Sequence, residues 1–300
     1  MSTKVIAVVG ASGHLGGLIA DEVLAQSDAQ LRLLVRPESR AKVAGLESRG
    51  AQIMEGAFGA VSDDTLAAFT ADATTVVSAV QGGPDVIVDG QAALLRAARS
   101  AGVRRLIPST FTMDLFKLRP GRIVAADWRR QFAELADAER GEVEVVHVLN
   151  GSFLARDVLF DFHRIIDPVE RIAYVWGDGE QPVDYTTWED TARYTAAAAL
   201  DDNSIGRVLP VAGDRVDFHG LVAAYEKATG TKLRVERLGS LADLDDRITE
   251  LQAGGPGNFL EFLKLMYLRA NLAGEGKLDA LANDRYPSIR PTTVEQYLTV

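Results

Sequence analysis

The chain has 300 residues, of which 47% are hydrophobic and 25% charged, as expected for a globular protein with one large domain or two closely joined ones. Its 42 acidic and 32 basic residues give a formal net charge of −10, which argues against nonspecific binding to nucleic acid or to an anionic membrane. Because there is no cysteine, disulfides, thiolate nucleophiles and cysteine-ligated zinc are excluded.

Through the first half of the chain, short apolar runs alternate with segments whose apolar residues recur at spacings of three and four. Strands are predicted at residues 5–9, 31–35, 51–54, 75–79, 105–108 and 143–149. Helices are predicted at 15–24, 65–69, 87–101 and 128–138. This alternation predicts βαβ units and an α/β fold of the Rossmann type, with a doubly wound parallel sheet buried on both faces.

After residue 150 the pattern changes to an aromatic-rich stretch, followed by helices predicted at 189–200, 218–229 and 259–270 and strands at 208–211 and 233–237. We expect a first domain of residues 1–151, to which 184–213 return. Residues 152–183 and 214–300 would form a smaller C-terminal α/β lobe that binds substrate. Thr292 and Glu295 have the spacing of a capping box that opens a terminal helix.

The first strand is predicted to begin at residue 4 or 5, and no apolar run approaches a membrane span. We therefore expect no signal peptide, no membrane association and a cytoplasmic location. Three glycines follow this strand at a spacing of three in 10-GASGHLG-16 and open the first helix. In a dinucleotide-binding loop Gly10 permits a tight turn, Gly13 lets the backbone approach a pyrophosphate, and Gly16 allows close packing of helix on strand.

Arg36 directly follows the second predicted strand, at a position where a NAD-binding protein usually carries an acidic residue. A guanidinium matches a 2′-phosphate in charge and in bidentate geometry, and Arg40 and Lys42 follow closely. Glu38, an acidic residue in the same segment, argues weakly against this preference for a 2′-phosphate. On balance the sequence favours NADPH over NADH as cofactor.

Several catalytic motifs are absent from the sequence. There is no GxSxG elbow, and no tyrosine is followed four positions later by lysine. The histidines are scattered and form no HExxH pair, so no metal site is predicted.

The glycine loop, 33-LLVR-36 and 102-GVRRLIPSTFTMD-114 resemble the atypical short-chain dehydrogenases/reductases of the isoflavone reductase-like (NmrA-like) family. The likeness continues through 149-LNGSF-153, 175-VWGDGEQPVDYTTWEDTARYTAAAALDD-202 and 286-YPSIRPTTVEQYL-298. It implies a Rossmann domain with a mobile substrate-binding lobe and NADPH as cofactor. Relatives reduce phenylpropanoid-type aromatics or quinones, whereas the fungal regulator NmrA binds the dinucleotide and acts through protein contacts.

The resemblance also implies where the cofactor would bind, at positions that follow the predicted strands. The pyrophosphate would contact Gly10, Ser12, Gly13, His14, Leu15 and Gly16, and the 2′-phosphate would contact Arg36 and Lys42. Adenosine and its ribose would lie beside Val80 and Gln81, and the nicotinamide beside Ser109, Phe111, Asn150 and Phe153. Ala57 replaces an aspartate that contacts adenine in the family.

The main departure from the family is at Trp128, in 125-AADWRRQFAEL-135. The family's proposed general acid/base is a lysine at this place, and an indole cannot exchange protons near neutral pH. Trp128 is a stacking wall for an aromatic ring, a sign of lost catalysis, or a helix-packing residue with the acid supplied from elsewhere. Lys117 and His163 are candidates for that acid, although each also fits a structural role, so the catalytic residue stays unassigned.

The leading hypothesis is an NADPH-dependent reductase of a small aromatic or conjugated carbonyl compound, such as a quinone, enone or phenylpropanoid. The substrate would contact Phe111, Met113, Trp128 and Phe153, whereas Phe160 and Phe162 are better explained as core. Arg129 and Arg130 stay charged and could stabilise an enolate or carboxylate. Two alternatives remain: a non-catalytic NADP(H)-sensing regulator with a protein partner, and an isomerase or cyclase. A homodimer is possible.

Overall fold

The structure is a computed structural model that describes residues 3–299. Its strands are β1 (Val5–Val9), β2 (Gln30–Val35), β3 (Gln52–Glu55), β4 (Thr75–Ser78), β5 (Arg105–Ile107), β6 (Glu144–Val145), β7 (His147–Leu149), β8 (Ser152–Phe153), β9 (Ile166–Asp167), β10 (Ile172–Trp176), β11 (Val183–Thr186), β12 (Val208–Pro210), β13 (Asp214–Val216) and β14 (Arg234–Gly239). Its α-helices are α1 (His14–Gln26), α2 (Ala44–Ser48), α3 (Asp63–Thr70), α4 (Gln91–Ser100), α5 (Val124–Glu139), α6 (Trp188–Leu200), α7 (Phe218–Thr229), α8 (Leu241–Ala253), α9 (Phe259–Leu272) and α10 (Val294–Thr299).

The central sheet consists of six parallel strands in the order β3-β2-β1-β4-β5-β6, which is the order of a Rossmann fold. Every residue of β1 and β4 is buried, because helices cover both faces of the sheet. The predicted fold class is confirmed. The strand order reverses between β1 and β4, and a crevice at the carboxyl ends of such strands is where this architecture binds ligands.

The strand predicted at 143–149 is two strands in the structure, interrupted at Val146. Its first part, β6, pairs with β5, whereas β7 pairs with β12 from later in the chain. The N–H of Val146 donates to Leu106 O (2.9 Å) and the next N–H, of His147, donates to Arg207 O (2.9 Å). The break therefore marks an exchange of hydrogen-bonding partner. Similarly, the helix predicted at 87–101 begins as a π-helical segment, Asp85–Gly90, before α4.

The predicted capping box of Thr292 with Glu295 is wrong by one residue. The N–H of Gln296 donates to Thr293 Oγ1 (3.2 Å), and the N–H of Thr293 donates to Gln296 Oε1 (2.9 Å), so this pair makes the reciprocal bonds. Thr292 instead donates its N–H to Asp190 Oδ2 (2.7 Å). This bond attaches the segment before α10 to the first turn of α6.

The second half of the chain contributes to two regions of the molecule. Helix α6 packs along α1, and β12 pairs with β7 beside the central sheet. The rest forms two three-stranded sheets, β14-β10-β9 and β13-β11-β8, with α7 to α10 packed around them. Helices α8 and α9 pack against the segment between β5 and α5. Within residues 3–299, no helix combines the length and apolar character that crossing a membrane requires.

Candidate functional site

A cleft of about 830 Å³ opens at the carboxyl ends of β1, β2, β4 and β5. This volume is in the range of small-molecule and cofactor sites. The structure brings into the lining of this cleft the predicted residues Gly10, Ser12, Gly13, His14, Leu15, Arg36, Val80, Gln81, Ser109, Phe111 and Phe153. It leaves outside the lining the predicted residues Gly16, Lys42, Met113, Lys117, Trp128, Asn150 and His163.

The glycine loop between β1 and α1 is packed so closely that side chains are excluded at two positions. A Cβ on Gly10, whose φ is +87°, would lie 2.3 Å from Ala79 O, and a Cβ on Gly16 would lie 2.2 Å from Gly10 O. Gly13 donates its N–H to Gly10 O (2.9 Å) and is the N-cap of α1. Helix α1 therefore begins directly against the end of β1.

The start of α1 faces the cleft, since His14 and Leu15 line it. The first N–H groups of a helix have no partner within the helix. Among residues 3–299 no side chain caps α1, and the first turn of the helix contains no acidic residue. Open N–H donors at the positive end of a helix form a cradle that fits a pyrophosphate.

Substitution of Gly16 by alanine is expected to lower the free energy of unfolding by about 1–3 kcal/mol, because the new Cβ meets backbone that cannot move independently of β1. Denaturant unfolding of the variant measures this loss. The matched control is Gly45→Ala in α2, where a Cβ would meet no atom of residues 3–299 within 4 Å. An unchanged denaturant midpoint of unfolding for Gly16→Ala would show that the loop can accommodate the added Cβ, and would contradict this close packing.

Arg36 lies at the end of β2, in the cleft lining, with its side chain 58% exposed. Its Nε is 3.5 Å from Glu38 Oε1, a loose ion pair at the surface. Arg40, in contrast, is bound to two glutamates at 2.6 and 2.8 Å. Arg36 is thus the arginine of this segment that is available to a phosphate in the cleft. Lys42 lies in the 3₁₀ segment Pro37–Val43 outside the lining, so its predicted contact stays a prediction.

Apolar side chains complete the cleft beside the carboxyl ends of β2, β3 and β4. Leu34, Phe58 and Val86 line it together with Val80. A flat purine ring fits such a surface, since cofactor pockets are mostly apolar with a few placed polar groups. Phe58 and Val86 escaped the sequence analysis because neither belongs to a recognisable motif.

Ser109 and Phe111 follow β5 and line the cleft. The Ser109 hydroxyl donates to Val80 O (2.6 Å) and its N–H donates to Gln91 Oε1 (2.7 Å), so both donors are used to tie β5 to β4 and to α4. Phe111 has a φ of +23°, which is uncommon for a residue other than glycine and costs on the order of 1–3 kcal/mol. Strained backbone of this kind clusters at ligand sites.

An aromatic wall stands beside the start of α1. Phe153 stacks on Trp188, with ring centroids 3.5 Å apart and an interplanar angle of 19°, and Trp188 meets the His14 ring edge-on at 5.4 Å. Trp188 is the first residue of α6, whose N-cap Thr187 accepts the N–H of Asp190 (3.0 Å). Trp188 was not predicted to lie in the site. The sequence feature that could have indicated it is Thr187, an N-cap residue that predicts a helix beginning at Trp188.

Asn150 lies at the end of β7 and is fully buried. Its main chain bonds to Thr112 and Thr186, but neither atom of its side-chain amide has a hydrogen-bond partner among residues 3–299. The predicted contact of Asn150 with the nicotinamide stays a prediction.

The two acid candidates lie apart from the cleft. Lys117 donates its Nζ to Lys277 O (2.6 Å) and pairs with Asp279 (2.7 Å). His163 borders a separate small cavity in the C-terminal half. Burial lowers the pKa of His163 to about 4 despite a hydrogen bond to the backbone at Lys264, so its imidazole is neutral at physiological pH. Lys117 is thus held by structural partners, whereas the Nδ1 of His163 is buried with no hydrogen-bond partner among residues 3–299.

Trp128 points to a helix neighbour rather than into the cleft. Its indole stacks with Phe259 at the start of α9, at a centroid distance of 6.1 Å and an interplanar angle of 12°, and it packs against the core on one face of the sheet. This placement favours the interpretation of Trp128 as a helix-packing residue. Met113 is buried in the core shared with α8 and α9, and Phe160 packs edge-on against Tyr225.

Four further polar residues line the cleft at the end nearest β5 and β8, namely Arg129, Arg156, Asp157 and Tyr297. Arg129 donates to Ser109 O (3.0 Å) and to Ala125 O (2.9 Å). The Tyr297 hydroxyl oxygen accepts the N–H of Arg156 (3.1 Å), so α10 closes part of the cleft. Arg156, Asp157 and Tyr297 could not be predicted from local sequence patterns, because long-range packing brings them to the cleft.

Comparison with known proteins agrees with this geometry. Residues 2–121 match the NmrA-like family. Pinoresinol reductase 1 of Arabidopsis thaliana is 27% identical over 99% of this chain and 96% of its own length. The structure of AtPrR2 with NADP+ and (+)pinoresinol superposes with a TM-score of 0.81 at 22% identity, covering 100% of this chain and 98% of that one. The Citrobacter sp. triphenylmethane reductase complexed with NADP(H) gives a TM-score of 0.73 at 18% identity, with 99% and 98% covered. These matches confirm the resemblance predicted from the sequence: the NmrA-like family model matches residues 2–121, and the similarity to a pinoresinol reductase extends over 99% of the chain.

Proposed function

We propose that the protein is an NADPH-dependent reductase of a small aromatic or conjugated carbonyl compound. The observation that carries this proposal is a single cleft with a glycine cradle at one helix start, Arg36 at the end of β2, and aromatic side chains beyond β5. The relatives support it, since they include a pinoresinol reductase and structures with NADP+ or NADP(H).

The residues present fit the dinucleotide along the whole cleft. The start of α1 would hold the pyrophosphate, because its N–H groups are open and no side chain intervenes at Gly10 and Gly13. Arg36 would bind the 2′-phosphate. Ser109, Phe111 and Phe153 would border the nicotinamide. When bound, the reduced dinucleotide supplies the hydride, and the chain's part is to orient both reactants and to exclude water.

The substrate would occupy the end of the cleft beside Phe111 and Phe153. Aromatic rings present a large rigid surface there, which suits a planar conjugated compound. Among the described residues that line the cleft there is no lysine, and the Ser109 hydroxyl is engaged with Val80 O. A substrate whose reduced form can take its proton from water fits such a site.

The test is consumption of NADPH by the purified protein with a panel of quinones, enones and phenylpropanoids, followed by absorbance. We expect turnover with at least one class and much slower turnover with NADH. A protein that binds NADPH but consumes none across the panel would contradict the proposed reaction.

The second candidate is a regulator that binds NADP(H) without catalysis. It is favoured by the same absence of a lysine from the described cleft lining and by the placement of Trp128 against Phe259. Such a protein would bind the oxidised and reduced dinucleotides with similar affinity, show no turnover, and retain a protein partner in a cofactor-dependent way. A partner whose binding ignores the cofactor would exclude this candidate.

A further inference from the structure

Two adjacent arginines in α5 have opposite surroundings. Arg130 is paired with Asp127 and also donates to Leu118 O. Arg129 donates its Nε to Ser109 O (3.0 Å) and one terminal nitrogen to Ala125 O (2.9 Å), and among residues 3–299 no carboxylate pairs with it. The charge of Arg130 is therefore neutralised by a carboxylate, whereas the positive charge of Arg129 is not.

The uncompensated charge of Arg129 is held in a fixed orientation at the cleft. The side chain is partly buried and lines the cleft beside Ser109, and its two carbonyl contacts anchor the planar group at both ends. The remaining N–H donors of the guanidinium are unused by these contacts. A preorganised cation in a partly dry site interacts with negative charge more strongly than the same cation in water.

Arg129 can bind an oxyanion but cannot act as its acid. A guanidinium stays protonated in proteins, so it stabilises negative charge without transferring a proton. Its cleft neighbour Ser109 has its hydroxyl hydrogen committed to Val80 O (2.6 Å). Arg129 thus offers charge stabilisation at this end of the cleft, and the neighbouring Ser109 hydroxyl is not available as a proton donor.

We propose that Arg129 is the oxyanion-binding residue of the reductase and restricts its substrates to conjugated acceptors, such as enones and quinones. This inference rests on the proposed function. A hydride from the nicotinamide adds to the β-carbon of an enone, and the displaced π electron pair moves to the carbonyl oxygen. Arg129 would hold the resulting enolate oxygen until water protonates the α-carbon, which leaves hydroxide and the saturated ketone. In a quinone the same two electrons give a hydroquinone monoanion. An isolated ketone would leave a far more basic alkoxide, which requires an acid.

The first test measures binding rather than turnover and uses 4-nitrophenol, whose ionised form is followed by its absorbance. The probe is titrated into the protein across its ionisation range, with and without saturating NADP+. We expect the wild-type protein to bind the phenolate at least about tenfold more tightly than the phenol, since hydrogen bonds to charged groups are worth about 1.5–3 kcal/mol. Arg129→Gln should remove this preference, and Arg129→Lys should restore part of it.

Arg130→Gln is the matched control, because it removes a neighbouring charge of the same helix that lies outside the cleft lining. Wild-type protein that binds phenol and phenolate equally, or an Arg129→Gln variant that keeps the preference, would overturn the inference. Because NADP+ binding is recorded in the same experiment, failure of the dinucleotide to bind would instead count against the proposed function. In turnover, Arg129→Gln should lower kcat for an enone by about 10²–10³-fold, with a smaller loss in Arg129→Lys.

Discussion

Replacing Arg36 with glutamine is expected to weaken NADPH binding about tenfold and to leave NADH binding unchanged. A hydrogen bond to a charged group is worth about 1.5–3 kcal/mol, and the lower end applies because the side chain is 58% exposed and screened by solvent. Calorimetric titration of the variant with both dinucleotides measures the two affinities directly.

Two neighbouring variants sharpen this test. Arg40→Gln removes an arginine from the same segment that is bound to glutamates rather than facing the cleft, and it should change neither affinity. Glu38→Gln removes the loose partner of Arg36 and should tighten NADPH binding slightly. Equal weakening of NADPH and NADH in Arg36→Gln would contradict a specific contact with the 2′-phosphate.

Replacing Glu144 with glutamine is expected to lower the free energy of unfolding by about 3–5 kcal/mol, the cost of breaking a buried ion pair from one side. Its partner Arg105 is fully buried and lies 2.6 Å from the carboxylate. Arg105 also donates to the main-chain oxygens of Asp201 (2.7 Å) and Asn203 (2.6 Å). The pair therefore joins β5 and β6 to the segment after α6, and the variant leaves a buried charge behind.

The same carboxylate should make stability depend on pH. Burial raises the pKa of Glu144, but hydrogen bonds from Ser204, Gly206, Arg105 and Ile205 outweigh it and hold the pKa at about 2, below its ordinary value of 4.5. The unfolded chain then binds the proton more readily, so the contribution of about 3 kcal/mol is complete above pH 4.5 and is lost as the pH falls towards 2.

Denaturant unfolding of the wild-type protein and of Glu144→Gln between pH 7 and pH 2 checks both the size of the loss and its pH dependence. The difference in free energy of unfolding between the two proteins should shrink in acid. Glu139→Gln is the matched control, because it breaks an exposed pair with Arg96 and should cost much less. A Glu144→Gln variant as stable as wild type at pH 7 would contradict the role of this pair.

The central sheet was predictable because its signals are local. Each strand of a buried parallel sheet is a short apolar run, and β1 has the bounds predicted for it. Helix α7, in the second half of the chain, also has its predicted bounds. The interruption between β6 and β7 was not predictable, because it depends on pairing with β12, which lies about sixty residues further along the chain. The error in the capping box has a similar cause. Two consecutive threonines both fit the pattern, and the bond from Thr292 to Asp190 selects between them.

The residues of the candidate site also differ in whether local sequence or long-range packing places them there. The glycine loop and Arg36 could be read from the sequence because consecutive residues of one strand and one helix build them. Trp188 and Tyr297 reach the cleft only because α6 packs along α1 and α10 packs against α7. The direction of Trp128 was equally hidden, since it is set by Phe259 at the start of α9. Local patterns therefore predicted the cleft residues that consecutive positions supply, and not those that long-range packing brings to the cleft.

We propose that this cleft transfers a hydride from NADPH to a conjugated carbonyl compound. The most direct measurement uses NADPH that carries deuterium on the transferable position of the nicotinamide, with mass spectrometry of the product. We expect one deuterium bonded to carbon in the reduced enone, and no reduced product when NADP+ replaces NADPH. A product without deuterium, or labelled NADPH that is never consumed with any substrate of the panel, would contradict it.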